Sequence, residues 1–430
     1  MKINKPDINP TFFYGPIISY QFRGDIAKDR DKYRIRFTLT FKSGDTCTAQ
    51  KGGFKTKAEA RRGKEVLISQ LEKKEYIPFD YTVKEFFDYW LYYYCIEKVN
   101  ITYHTFQTYR NCLYNHLLPA FGAERKLKDI TSQSIENAVV SSIPYPSVMQ
   151  YTARLVKHVF KFACSSHYLS YNPSVVAIRK LSGMIPEKTK RNVEPYTVPE
   201  IRKLLYTCKE HYWGMYIALL LAVTTGLRIS ETIGLKYVDV DFTSCTIFVR
   251  RQLGRDINDE SDEELVTKEI ETKTPNAVRN IPVSRWVIDE IIVRCAWYEN
   301  QKLTVDHFQD RDYICCRENG VPYHRSDFGD SFHELTERCG LRYIHWHDLR
   351  HIYSSVLKDN EVNMKAISEY LGHYSPEFTE KTYVYQKEPV YDCTILSEVW
   401  EILHPDKVDN DCPEVLVIPF TDDDYLAMFT

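Results

Sequence analysis

The stretch HWHDLRHIYSSVL, residues 345–357, sets His345, His347 and His351 within seven residues and places Arg350 among them. His347 and His351 are four apart, so a helix brings them to one face. Two chemistries compete for such a face. A zinc site needs three or four convergent ligands. Here two histidines share the face, HExxH is absent, no carboxylate follows at a familiar spacing, and Arg350 would add positive charge beside the ion. A phosphate favours the same arginine, because a guanidinium fork binds its oxygens bidentately. His351 alone reads as a packed helix histidine, and His345 is undecided. The stretch by itself supports metal, phosphate or packing.

Its partners lie in three other segments of the chain. In TTGLRISE (224–231), Gly226 ends or kinks an apolar helix, Arg228 projects from the next turn, and Glu231 follows one turn on. Taken alone, this is a surface Arg–Glu pair. In TKTPNAVRNIPVS (272–284), Lys273 sits on a turn before a strand, from which a flexible ammonium can swing toward a phosphate oxygen. In LGHYSPEFTEKTYVY (371–385), Leu371 and Gly372 end a helix, His373 sits in the break, and Tyr383 and Tyr385 follow. Together these residues suit phosphoryl transfer without a metal. Guanidiniums match the charge that spreads over a phosphodiester's oxygens in the transition state. A tyrosine hydroxyl is a competent nucleophile where cations lower its pKa and a neighbour takes its proton. Lys273 and His347 are both of the right type to protonate the departing alkoxide.

Composition narrows the setting. A chain of 430 residues, 43% apolar and 27% charged, has room for two or three domains with cores of their own. Its longest apolar run, WGMYIALLLAV (213–223), falls short of the roughly 20 residues that span a bilayer. MKINKPDINP at the start lacks the apolar segment of a secretory signal. Twelve cysteines form no CxxC pair, and Cys315 and Cys316 are adjacent, a poor geometry for a shared zinc. A reduced, cytoplasmic protein with no membrane partner is expected. The net charge of −3 hides a division: residues 1–194 carry 31 basic against 18 acidic side chains, and the remainder carries 25 against 41. Eight acids crowd into 256–271 and eleven into 387–430. A polyanion is the expected partner of the first half.

Along the chain three units and a tail are expected. KYRIRFTLTF (32–41) alternates apolar and polar residues as a strand, SGD (43–45) turns, TCTAQK returns, and 55–76 forms a basic helix. Arg34, Arg36, Lys51, Lys55 and Lys57 line this small sheet and helix, either as a ribbon laid against DNA or as a solubilising face. Residues 80–180 read as all-helical, with helices over 81–98 and 102–122, the second stopping at Pro119 and Gly122. Their tyrosine-rich faces sit at core spacing. Helix breakers and charges at 181–197 mark a linker. Beyond it two helices are expected, the second buried, then strands at TIFVRRQL (246–253) and RNIPVS (279–284) flanking the acidic insertion. Helices are expected from there to about 385, then a short helix at LSEVWEIL and a strand at EVLVIPF (414–420).

TGLRISE, TKTPNAVRNIP, HDLRH, LGH and the following TY occur in the order found in the tyrosine recombinases, or phage-type integrases, and the chain resembles that family. TFQTYRNCLYNHLLPAFG resembles the family's helical core-DNA-binding domain, and KGGFKTKAEA (51–60) the end of the three-stranded arm-binding domain of conjugative-transposon and Gram-positive phage integrases. The resemblance implies a multidomain α+β chain. Its parts would be an arm-type DNA-binding domain of three strands and a helix at 1–77 and a helical core-DNA-binding domain at 80–180. A linker at 181–197 would lead to a mainly α catalytic domain with a small sheet at 198–390, followed by an acidic tail at 391–430. It further implies that Arg228 and Arg350 grip the scissile phosphate, that Lys273 protonates the leaving 5′ oxygen, and that His347 assists proton transfer. His373 would hydrogen-bond the phosphate and Glu231 support the first arginine. Tyr383, ten residues after His373 and preceded by Thr382, would form a 3′-phosphotyrosine, with Tyr385 the alternative.

No cofactor or metal is implied. The implied partners are double-stranded attachment sites of core and arm type, three further copies of the chain through a Holliday junction, and an accessory directionality factor. The implied place is the bacterial nucleoid. Two other readings share these residues: a DNA-binding regulator that has lost catalysis, and a nicking and resealing enzyme like the type IB topoisomerases.

Overall fold

The computed structural model of the chain describes residues 3–186, 194–255, 257, 268–270, 278–372 and 404. They divide into two compact units, the first holding residues up to 186 together with Ile257 and the second holding the others from 194 onward.

The first unit opens on a sheet of four strands: β1 (Ile17–Phe22), β2 (Ala27–Asp29), β3 (Lys32–Phe41) and β4 (Thr46–Phe54). Three strands are expected from the sequence. The difference arises because the first edge is broken at residues 23–26, so β1 and β2 pair in succession along one side of β3 while β4 takes the other. The alternation of β3 works as read, with Ile35, Phe37, Leu39 and Phe41 buried. Helix α1 (Lys57–Glu72) covers that face with Ala60, Leu67 and Leu71, and its N-cap Thr56 accepts a bond from the Glu59 backbone.

The remainder of the unit is helical. Thr82 and Glu85 form a capping box that starts α2 (Val83–Asp88), which widens into a π-helical stretch, Tyr89–Lys98. Helix α3 (Tyr103–Arg110) widens likewise over Asn111–Leu117 and tightens again as α4 (Leu118–Phe121). The chain therefore passes Pro119, one of the two stops expected there, and ends at Gly122, whose φ of +88° a side chain would resist. Helices α5 (Ser132–Ser142), α6 (Pro146–Ser165) and α7 (Ser174–Met184) close the bundle. The aromatic stripes are core: Phe86, Phe87, Trp90, Phe106 and Phe160 are buried. Phe12 stacks on Tyr81 and Tyr89 at centroid distances of 3.9 and 4.5 Å.

The second unit is built around one buried helix. After α8 (Val198–His211), α9 (Trp213–Thr225) is buried along its whole run from Met215 to Thr225, as its sequence demands. Helix α10 (Ile229–Thr232) is one turn. Strands β5 (Val240–Asp241) and β6 (Thr246–Val249) lead to β7 (Gln252–Gly254), and β8 (Lys268–Ile270) and β9 (Arg279–Pro282) follow. TIFVRRQL is thus two strands and not one: β6 pairs with β5 and β9, while β7 pairs with β8 in a separate ladder. Helices α11 (Arg285–Thr304), α12 (Gly329–Arg338), α13 (Asp348–Asp359) and α14 (Met364–Leu371) complete the described part.

The expectation of helix throughout this region fails over residues 305–328, which run as turns and isolated bridges. The buried Arg294 of α11 holds that segment by donating to the carbonyls of Ile314 and Cys316, backbone bonds that a helix there would keep for itself. Among the described residues no helix is long and apolar enough to cross a membrane. LSEVWEIL and EVLVIPF lie outside the described residues.

Candidate active site

Helix ends carry carbonyls that no intrahelical donor satisfies. Two such ends, those of α9 and α14, converge in the second unit, and arginines fill the gap. Gly226 ends α9 in the left-handed region, φ +62°, and a Cβ there would lie 2.6 Å from the Tyr353 ring. Its carbonyl accepts a 2.7 Å bond from Nη1 of Arg350, in the first turn of α13. Nη2 of the same guanidinium donates to the carbonyl of Leu371, where α14 ends. Arg350 is 5% exposed. The planar fork suits two acceptors at fixed spacing, which a lysine would not meet.

Arg228 follows Gly226 by two residues and caps α10 with its backbone N–H donating to Glu231 at 3.0 Å. Its guanidinium donates to the other Glu231 oxygen at 2.9 Å, with 39% of the side chain open to solvent. Glu231 itself is buried. Burial alone would raise its carboxyl pKa, but Arg279 and Arg228 outweigh this and hold it below the ordinary range. Arg279, on β9, donates to Glu231 at 2.8 Å and, through Nε, to the carbonyl of Tyr370 at 2.5 Å.

His347 precedes α13 on the exposed side of this knot. Trp346 beside it stacks on Phe328 and packs edge-on to Phe332, which fixes the turn that presents the imidazole. Desolvation first, then the neighbouring His351, Arg350 and Arg228, press the His347 pKa below its ordinary value, so the ring is neutral at pH 7. Its ring centroid lies 5.6 Å from that of His351. Among the described residues no three His, Cys, Asp or Glu side chains gather as a metal site.

The structure thus brings together Arg228, Glu231, His347 and Arg350 from segments more than a hundred residues apart. Lys273, His373 and Tyr383, and the alternative Tyr385, lie outside the described residues. Arg279 was not singled out in the sequence. The signal was present, because Arg279 and Ile281 alternate on the same inward face of a strand, and a cation in an inward slot needs a buried partner.

The five basic residues of the first unit separate. Arg34 and Arg36 stand on the face of β3 away from α1, and Arg34 pairs with Asp29 at 2.8 Å. Lys51 lies opposite Ile35, on the helix-covered side, and Lys55 and Lys57 fall at the start of α1. The open face presents a different set. Arg36 is opposite Gln50, Thr38 is opposite both Thr48 and Gln21, and Arg23 donates to Thr38 at 2.7 Å.

Gly226→Ala tests the knot. Left-handed strain and the clash with Tyr353 are expected to destabilise the unit by roughly 2–4 kcal/mol, read as a lower urea midpoint at unchanged m-value.

Three guanidiniums and one carboxylate are thus closely packed among the described residues, with positive charge in excess. Residues 196–388 match the phage integrase family, and residues 82–141 match the phage integrase N-terminal SAM-like domain. A XerC-like tyrosine recombinase of Caldanaerobacter subterraneus subsp. tengcongensis is 24% identical over 370 residues, covering 84% of this chain and 94% of the relative. The transposase of transposon Tn916 from Enterococcus faecalis is 27% identical over 199 residues, 44% of this chain and 47% of that protein. The integrase of transposon Tn1549, solved with transposon right end DNA, superposes with a TM-score of 0.58 at 19% identity, over 71% of this chain and 96% of that one. At that identity the superposition is a likeness of fold. The chain belongs to the phage integrase family, the tyrosine recombinases, by two matches that together span more than half of it. It is a site-specific DNA recombinase of the kind carried by mobile elements.

Proposed function

We propose that this chain cuts and rejoins DNA by transferring a scissile phosphate to Tyr383 and back. The observation that carries the reading is the imbalance of the knot: Arg350 is buried with carbonyls as its acceptors, and Glu231, the one carboxylate among the described residues of the knot, is divided between Arg228 and Arg279. A phosphate completes that charge. The Tyr383 hydroxyl attacks phosphorus, the bond to the 5′ oxygen breaks, and Lys273 delivers the proton that oxygen needs. Arg228 and Arg350 hold the non-bridging oxygens, with His373 donating beside them, and neutral His347 takes the phenolic proton. The 3′-phosphotyrosine keeps the energy of the broken bond, so a second 5′ hydroxyl reverses the step without metal or ATP.

The domain assignment follows the same reading. The sheet of the first unit would bind arm-type sites through Arg23, Arg36, Thr38, Thr48 and Gln50, and the helical part core-type sites. Four copies, two cutting at a time, pass through a Holliday junction, with an accessory factor setting direction, in the cytoplasm at the nucleoid.

The test is a duplex carrying the joined ends of the mobile element that encodes the chain, nicked beside the scissile phosphate so that the freed strand diffuses away. In EDTA the protein is expected to accumulate as a detergent-resistant DNA adduct. Absence of any adduct on a duplex that the protein binds overturns the reading.

A further inference from the structure

Strand β9 lends the site a side chain that no step above uses. Arg279 is 8% exposed and sits one alternation from the fully buried Ile281. Its guanidinium reaches two other elements. Nη1 and Nη2 donate to the two carboxylate oxygens of Glu231 on α10, at 3.4 and 2.8 Å, and Nε donates to the Tyr370 carbonyl in the last turn of α14. Glu231 passes the connection to Arg228 at 2.9 Å. The next carbonyl along, that of Leu371, belongs to Arg350. Two successive carbonyls at one helix end are therefore held by two different arginines. From that end the chain turns through Gly372, φ +64°, into His373.

We propose that Arg279 is a positioning residue that locks the end of α14 to the Arg228–Glu231 pair, so that one buried ion-paired joint sets the phosphate grip and the departure of the chain toward His373 and Tyr383 together. The inference rests on the roles given to those residues above. Arg279 spends its donors on protein acceptors and does not supply charge to the phosphate. Lysine in its place keeps the charge beside Glu231, but a single ammonium cannot also take the Tyr370 carbonyl in the geometry of a fork.

The experiment compares single-turnover adduct formation on the nicked duplex with formation on the same duplex carrying a methylphosphonate at the scissile position. That substitution removes the charge from a non-bridging oxygen. Arg228→Ala, which lacks a charge the phosphate uses, is expected to be slow on the phosphodiester and to recover on the methylphosphonate. Arg279→Lys is expected to be slowed by about 10- to 100-fold on both substrates, with duplex affinity within about twofold of wild type. Rates are normalised to the folded fraction from near-UV circular dichroism, and Arg279→Gln replaces the lysine variant if that one does not fold. Recovery of the Arg279 variant on the methylphosphonate overturns the inference, since the residue would then act through its charge. So does an unchanged rate on both substrates, or a loss of rate fully accounted for by the unfolded fraction. Failure of wild type to form any adduct instead overturns the reading of the site itself.

Discussion

Tyr383→Phe is expected to abolish the covalent adduct, by at least about 10⁴-fold in single-turnover rate, while duplex affinity stays within about twofold. The size follows from the chemistry. On the reading proposed above the phenol oxygen is the atom that bonds to phosphorus, and its removal leaves the step without a nucleophile. On the same reading affinity comes from phosphate contacts spread over the protein, so one hydroxyl contributes little to it. Tyr385→Phe is expected to cleave at close to the wild-type rate. The opposite pattern, an adduct surviving in Tyr383→Phe and lost in Tyr385→Phe, would move the nucleophile by two residues. The pH dependence adds a check on its proton acceptor. Desolvation and neighbouring cations hold His347 below its ordinary value of 6.5, so it is unprotonated and able to accept at pH 7. The rate is expected to hold as pH falls to that ordinary value and to drop only below it. His347→Gln should be slow across the whole range.

How much of this was legible in the sequence depended on whether neighbours in the chain were also neighbours in space. The strand Lys32–Phe41 and the buried helix Trp213–Thr225 follow from local pattern, because each buries the face that its own periodicity defines. Arg228 and Arg350 were legible as residues and illegible as a geometry. Nothing local says that Arg350 would take the carbonyl of Gly226, 124 positions away, or that Arg279 would reach Tyr370. Residues 305–328 differ from the helical expectation for a related reason: the Ile314 amide bonds to Leu235, and the Ile314 and Cys316 carbonyls accept from Arg294, partners outside the local window. The basic residues of the first unit were grouped by charge, whereas the ladder sorts them by register, and Lys51 falls opposite Ile35 on the covered side. The open face carries Gln21 and Gln50, neutral residues that a search for charge passes over.

Arg350 should separate stability from catalysis. Burial, and next to it the charge of Arg228, press its pKa down to about 9, which corresponds to a penalty of order 5 kcal/mol on holding the charge in the free protein. The guanidinium stays charged throughout the neutral range, so neutral solution carries that penalty. Removing the charge relieves it. Removing the side chain, however, strips the carbonyls of Gly226 and Leu371 of their donor, at roughly 1–3 kcal/mol each. The two effects are of similar size and opposite sign. Arg350→Gln, whose amide can still serve one carbonyl, is therefore expected to shift the unfolding free energy by no more than about 2 kcal/mol in either direction. Cleavage has no such compensation. On the proposed reading the charge that burial disfavours is the one the phosphate needs in the transition state, and its loss is expected to slow adduct formation by roughly 10²- to 10³-fold. A methylphosphonate at the scissile position should restore part of that rate, because the substrate then no longer brings the negative charge that Arg350 answers. A variant that loses cleavage and stability in proportion would instead make Arg350 a structural residue, and the anion that completes the knot would have to be sought elsewhere.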